Sequence, residues 1–294
     1  MAIELSNRIL KLEIQEPGEF YRGTRFDWTG QIIQIVLDNT DTFCTAEFQD
    51  PALKDTGGRG LYNEFGIDMP VGYDDCKTGE QFIKIGTGLL TRDSKPYDFF
   101  KKYEITPFAF QVEKKNQGVY FTCDPRKAGG YAVKLEKQII LNNNIFTIRY
   151  NLTNTGSKVI RTNEYIHNFL SLNNKNIDMY YKLTFSFLPE PAGFEESINP
   201  GNVVVFENEK ITWKNDIDRQ FFFSNLSGSQ NVAAGWSLEH SSDRIGIRER
   251  CSFTSRKVNL WGSQHVVSPE IFYEIDLPPG KSGQWERIYE VYRF

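Results

Sequence analysis

The sequence predicts an all-β protein, an antiparallel sandwich built from two large curved sheets with very little helix. Short runs of alternating apolar and polar residues recur at intervals of about 8–15 residues, the spacing of an all-β sandwich or barrel. The connections between them are rich in Gly, Pro and Asn, and no segment of a dozen residues keeps a helical 3.6-residue period. The 23 Phe, 14 Tyr and 5 Trp are the third observation: aromatic and β-branched side chains suit a pleated surface.

Taken in order, residues 3–15 alternate through Ile3, Leu5, Leu10, Leu12 and Ile14 and predict a first strand or strand pair. Pro17-Gly18 makes a turn, and Tyr21–Val36 reads as a strand, a tight turn at Gly30 and a second strand. Residues 49–80 are rich in Gly, Asp and Pro without a long periodic run, which predicts a long, ordered and functional loop. Strands are then expected over 81–91, 102–112, 118–124, 130–141, 144–153, 158–168, 179–187, 202–206 and 210–213. Further ones follow over 219–225, 231–239, 244–251, 256–260, 266–277 and 284–293. Asn116-Gln117-Gly118, Asn142-Asn143-Asn144, Asn199-Pro200-Gly201 and Pro278-Pro279-Gly280 supply turn chemistry between them. Short helical turns are expected in 95–103 and 190–198. With no internal repeat and no linker, residues 1–294 are expected to form one domain.

A formal net charge of −4, with both signs interspersed, offers no basic stripe for nucleic acid. No apolar run approaches the ~18 residues of a membrane span. The N-terminal MAIELSNRILKLEI carries Glu4, Arg8 and Lys11 and does not read as a signal peptide, so the expected compartment is the cytoplasm. Cys44, Cys76, Cys123 and Cys251 lie far apart without a C-x-x-C spacing, which predicts reduced, packed thiols. Three scattered histidines make no recognisable metal-ligand set, Gly86 and Gly88 do not form a phosphate loop, and neither a metal nor another cofactor is expected.

Attention falls on 149–173. Phe146, Ile148, Tyr150 and Leu152 alternate with polar residues, Asn154-Thr155-Gly156-Ser157 turns the chain, and a second extended run delivers His167 between Ile166 and Phe169. By position alone that histidine reads more readily as a core imidazole satisfied by a carbonyl than as a functional group. Glu270 sits among Val266, Val267, Ile271 and Phe272, where a charge must be paired or its proton affinity rises. Glu274, four residues on, has the same strand parity and is its rival.

The string N-x-T-N-T-G-x-x-V-I over Asn151–Ile160, followed by I-H-N-F-L-S-L over Ile166–Leu172, resembles the central signature of the aldose 1-epimerase (galactose mutarotase) superfamily. Leu277-Pro278-Pro279-Gly280 and the aromatic final strand Trp285–Tyr292 are similar to that superfamily's C-terminal layout. The resemblance implies a β-supersandwich and a cofactor-independent isomerase that opens and recloses a sugar ring by acid–base catalysis. It implies His167 as acid, Glu270 as base and Asp218, in the string DIDRQF, as the anchor of a sugar hydroxyl, with Asp216 close enough to be confused with it. Galactose-acting members carry an earlier histidine that this chain lacks. The corresponding region resembles GRGLYNEFG (Gly58–Gly66), where Arg59, Asn63 or Glu64 would stand in for it and a charged pocket would favour an acidic or modified sugar. Arg25 and Lys84 are candidates for the same mouth, and Trp261, Trp236 and Tyr73 for stacking on a sugar face. His240 and His265 are further imidazoles that could approach it. The implied partner is a monosaccharide or sugar derivative. The competing expectation is a sugar-binding protein on the same fold that has no turnover.

Overall fold

The computed structural model describes residues 2–50, 53, 57–214 and 217–294. In chain order the first strands are β1 (Ile3–Ser6), β2 (Leu10–Ile14), β3 (Ile32–Leu37), β4 (Asp41–Thr42), β5 (Gly60–Phe65), β6 (Gln81–Lys84), β7 (Gly88–Thr91) and β8 (Ile105–Pro107). There follow β9 (Phe110–Lys115), β10 (Gly118–Cys123), β11 (Val133–Asn142), β12 (Ile145–Asn154), β13 (Ile160–Phe169), β14 (Tyr181–Phe185), β15 (Ser197–Ile198) and β16 (Val204–Glu207). The last are β17 (Lys210–Trp213), β18 (Phe221–Phe223), β19 (Gly235–His240), β20 (Ile245–Cys251), β21 (Val258–Ser263), β22 (Val266–Ile271), β23 (Tyr273–Leu277) and β24 (Ser282–Arg293). Helix among the described residues is confined to short 3₁₀ turns such as Pro191–Gly193.

Two antiparallel sheets form the body. One runs β1-β2-β3-β5-β13-β23 with β4 beside β3, and the other runs β16-β17-β14-β19-β20-β24-β12-β11-β10-β9. In β11, β12 and β24 every second residue is buried, as expected of strands with one face on a core and one toward water. Their inward aliphatic and aromatic side chains meet those of β2, β3, β5 and β13 in one cluster. A smaller sheet, β15-β18-β21-β22, and the three strands β6-β7-β8 complete the described structure.

Polar side chains also tie the two large sheets face to face. Arg287 of β24 pairs with Glu164 of β13 and Glu249 of β20, all three fully buried. The Tyr289 hydroxyl donates to Asn168 Oδ1 across the same gap. Strand β13 is therefore buried on both sides beyond Asn163. Glu164, Ile166 and Asn168 face the ten-stranded sheet, and Tyr165, His167 and Phe169 face the other way.

Several expected elements differ in the structure. Residues 21–31 are not a strand, and only Ile32–Leu37 of the expected hairpin pairs. Their backbone bonds go elsewhere, Asp27 N–H to the Asn63 carbonyl and Trp28 N–H to the Gly86 carbonyl. The long loop contains β5, every residue of which is buried, while Pro51, Ala52 and residues 54–56 lie outside the described residues. Residues 81–91 split into β6 and β7 around Gly86, whose φ of 75° opens a turn. Residues 266–277 divide at Phe272 into β22, in the small sheet, and β23, in the large one. No helical turn forms in 95–103.

Candidate active site

Strands β13, β22 and β21 set the site's geometry. Register places His167 opposite Tyr62 of β5, and Asn259 of β21 opposite Glu270 of β22. Strand β22 lies beside β13 through the Leu170–Val267 bridge and through Asn168, whose backbone N–H donates to Ser268 Oγ at 3.0 Å. His167 Nδ1 consequently stands 2.9 Å from Glu270 Oε1. The Ser268 hydroxyl donates to the same carboxylate oxygen at 3.2 Å and lies 3.1 Å from His167 Nδ1. Two residues 103 positions apart in sequence thus touch within a cavity of about 540 Å³ that both line. That volume falls within the range of small-molecule sites. His167 is 5 % and Glu270 3 % exposed.

Arg25 closes the other side of the imidazole. It comes from the irregular segment before β3, and its Nη2 lies 2.9 Å from His167 Nε2. A guanidinium can only donate, so the contact makes Nε2 the acceptor and leaves the ring proton on Nδ1, facing Glu270. Arg25 also donates from Nε to Glu64 Oε2 at 3.0 Å and from Nη1 to Glu47 Oε1 at 3.1 Å. Glu64 in turn accepts from Tyr165 Oη at 2.7 Å and Lys84 Nζ at 3.3 Å. Burial alone would raise the Glu64 carboxyl, but Arg25 and Lys84 outweigh it and hold the group below the usual carboxylate range. Burial pulls the Lys84 ammonium down against the pull of Glu64. The rings of Phe99 and Phe100 lie over the Arg25 guanidinium at 4.7 and 5.2 Å and line the cavity beside it.

The structure brings some of the sequence candidates together and separates others. Arg25, His167, Glu270 and Trp261 line one cavity. Glu64 and Lys84 lie beneath it in the charge network, fully buried. Asn63 points the opposite way, since alternation along β5 turns it into the core, where it donates to Glu164 and to the Tyr165 carbonyl. Arg59 lines a separate hollow of about 640 Å³ with Gln15, Phe20 and Tyr62. Asp218 is exposed over 83 % of its side chain and does not line the cavity, and Asp216 lies outside the described residues. Glu274 does not share a face with Glu270, because the break at Phe272 moves it to a third hollow of about 720 Å³ beside Asp68 and Asp276. Among the described residues that line the two larger hollows there is no histidine. Trp236 and Tyr73 are core residues, His240 is buried against Tyr181, and His265 faces the Ala46 carbonyl. All four cysteines are free thiols.

Sequence reasoning passed over Glu47, Ser268, Asn259 and the Phe99–Phe100 pair. Ser268 was legible in principle, since it stands two residues from Glu270 and so on the same face of the strand. Nothing in the sequence pointed to Glu47, which is brought in by a loop.

No protein-family model matches the sequence, and a search of curated proteins gives no match. Solved structures do resemble it along its whole length. A galactose mutarotase-like protein from Lactobacillus casei superposes with a TM-score of 0.62 at 16% identity, covering 99% of this chain and 100% of that one. A galactose mutarotase related enzyme from Lactobacillus acidophilus gives 0.62 at 14% identity, covering 99% and 97%. An aldose epimerase homologue from C. elegans gives 0.55 at 10% identity, covering 100% and 99%. At such identities the likeness establishes the fold, and the chain has the fold of the aldose 1-epimerase and galactose mutarotase-like superfamily.

Proposed function

We propose that the protein interconverts the anomers of an aldose, with His167 and Glu270 as its acid–base pair. The observation that carries this reading is the 2.9 Å contact between the two groups at the wall of a sugar-sized cavity. In a pyranose the anomeric hydroxyl oxygen and the ring oxygen are bonded to the same carbon, so groups that serve both must stand next to each other. A sugar edge entering the contact gives its anomeric O–H to Glu270 and receives the Nδ1 proton of His167 on its ring oxygen. Glu270 takes the hydroxyl proton, the C1–O5 bond breaks, and O5 takes the imidazole proton, leaving an aldehyde at C1. Rotation about C1–C2 and the reverse of both transfers close the ring on its other face and restore both groups. Arg25 lies against the imidazole throughout and favours the electron density left on the ring when the proton departs.

The charges around the cavity favour an uncharged sugar over an acidic one. Arg25 is committed to Glu47, Glu64 and His167, and Lys257 to Asp68 at 3.6 Å. The mouth adds Glu195 and Glu196, both exposed. A phosphate or carboxylate would meet more negative than positive charge there.

A second reading has its own support: the histidine and glutamate already satisfy each other and are nearly enclosed, which suits a sugar-binding protein without turnover. Anomer exchange in a panel of aldoses, followed by NMR, separates the two. The wild type is expected to accelerate exchange, and His167→Ala and Glu270→Gln are each expected to lose about 10²- to 10⁴-fold. Equal rates for all three proteins would end the acid–base assignment, and saturable binding without any exchange would favour the second reading.

A further inference from the structure

Beyond the acid–base pair, the cavity contains one buried polar side chain with an unused end. Asn259 is 6 % exposed and lines the cavity. Its Oδ1 accepts the backbone N–H of Asn225 at 3.0 Å. Asn225 offers that N–H from a left-handed conformation, φ 54°. Accepting there fixes which end of the carboxamide is which: Oδ1 turns to the loop and Nδ2 is the free end. Among the described residues none accepts a hydrogen bond from Nδ2, and the bond from Asn225 is the one this side chain makes. That donor end is left for whatever oxygen occupies the cavity that Asn259 lines.

The position of that donor is informative. Strand β22 lies between β13 and β21, so Glu270 has His167 on one side and Asn259, its directly paired neighbour, on the other. Around the edge of a pyranose the oxygens follow the same sequence: ring oxygen, anomeric oxygen, then the oxygen on C2. Resting on the reading that His167 and Glu270 serve the first two, we propose that Asn259 donates a hydrogen bond to the C2 hydroxyl oxygen and selects aldoses bearing one. The site therefore discriminates against 2-deoxy sugars, and against sugars with an ammonium at C2, which present a donor to a donor.

The test pairs an aldohexose with its 2-deoxy analogue across wild type, Asn259→Ala and Asn259→Asp. Asn259→Asp retains an acceptor for Asn225 and removes the donor, which covers the case in which the alanine variant folds poorly; it also sets a second carboxylate beside Glu270, so each variant is read by the ratio of its rates on the two sugars. Wild type is expected to prefer the 2-hydroxy sugar by about tenfold in kcat/KM, the effect of one neutral hydrogen bond, expressed mainly in KM. Both variants are expected to lose that preference, the ratio between the two sugars falling to about one whatever the absolute rates. A preference left intact in both variants would mean that Asn259 only supports the fold and would overturn the proposal, as would a wild type indifferent to the C2 hydroxyl. If the wild type exchanges no anomers, the turnover reading fails separately. The same comparison made by titration calorimetry then decides: tighter binding of the 2-hydroxy sugar that vanishes in both variants upholds Asn259, and equal binding overturns it.

Discussion

Glu64 is the residue on which the positive charges beneath the cavity converge. Arg25 and Lys84 pair with it and the Tyr165 hydroxyl donates to it, and its carboxyl is held below the ordinary carboxylate range although burial pushes the other way. A carboxyl with a lowered folded-state pKa adds stability at every pH above its unfolded value, and that stability disappears as the pH falls through the folded one. Glu64→Gln is therefore expected to cost about 3–5 kcal/mol near neutrality, because it leaves Arg25 and Lys84 short of a counter-charge. It is also expected to flatten the acid limb of stability against pH. Urea unfolding of both proteins from pH 7 downward measures the two effects, and an unchanged acid limb would deny Glu64 that role. In the sequence, Glu64 is a candidate for touching a sugar. Its residue type is informative and its direction is not, because direction depends on which strand pairs with β5.

At the scale of elements, what was legible follows from where each strand's neighbours lie. β11, β12 and β24 alternate cleanly because one face meets a core and the other meets water, so their pattern is visible in the sequence. β5 has two covered faces, carries Asn63 and Glu64, and begins at a glycine, so by composition it reads as loop. Residues 21–31 have the opposite problem: aromatic residues around a glycine resemble a hairpin, but Asp27 is drawn to Thr29 and Lys137 and the chain stays irregular. That irregularity delivers Arg25 to the imidazole. His167 and Glu270 stand out in the sequence because apolar neighbours flank them and because the chain resembles a known signature. Their direct contact was not readable, since it rests on β22 lying beside β13. The entry to β5 is correspondingly demanding. Gly60 has φ 67°, and a Cβ there would stand 2.2 Å from the Ile32 carbonyl oxygen. Gly280 has φ 73° with open space around it. Gly280→Ala is expected to cost about 1–2 kcal/mol for the left-handed conformation alone. Gly60→Ala must cost more, because backbone has to move as well, and urea midpoints for the two variants give the comparison.

For the molecule as a whole, Arg287 is a fully buried charged link between the two large sheets. Its Nη2 donates to Glu164 at 2.8 Å and its Nη1 to Glu249 at 2.7 Å, with Phe253 stacked on the guanidinium. Burial opposes its charge, but Glu164 and Glu249 outweigh that and hold its pKa above the ordinary arginine value. Arg287→Met would leave two carboxylates facing each other in the core, and a loss of about 3–5 kcal/mol is expected in thermal or urea unfolding. The strand that bears Arg287 also runs between β12 and β20, pairing with both along most of its length. Each of those partners is made on the ribosome before β24 is. Until β24 emerges, the nascent chain therefore carries two long strands with unpaired amide edges, the type of surface that neighbouring polypeptides capture and that chaperones guard.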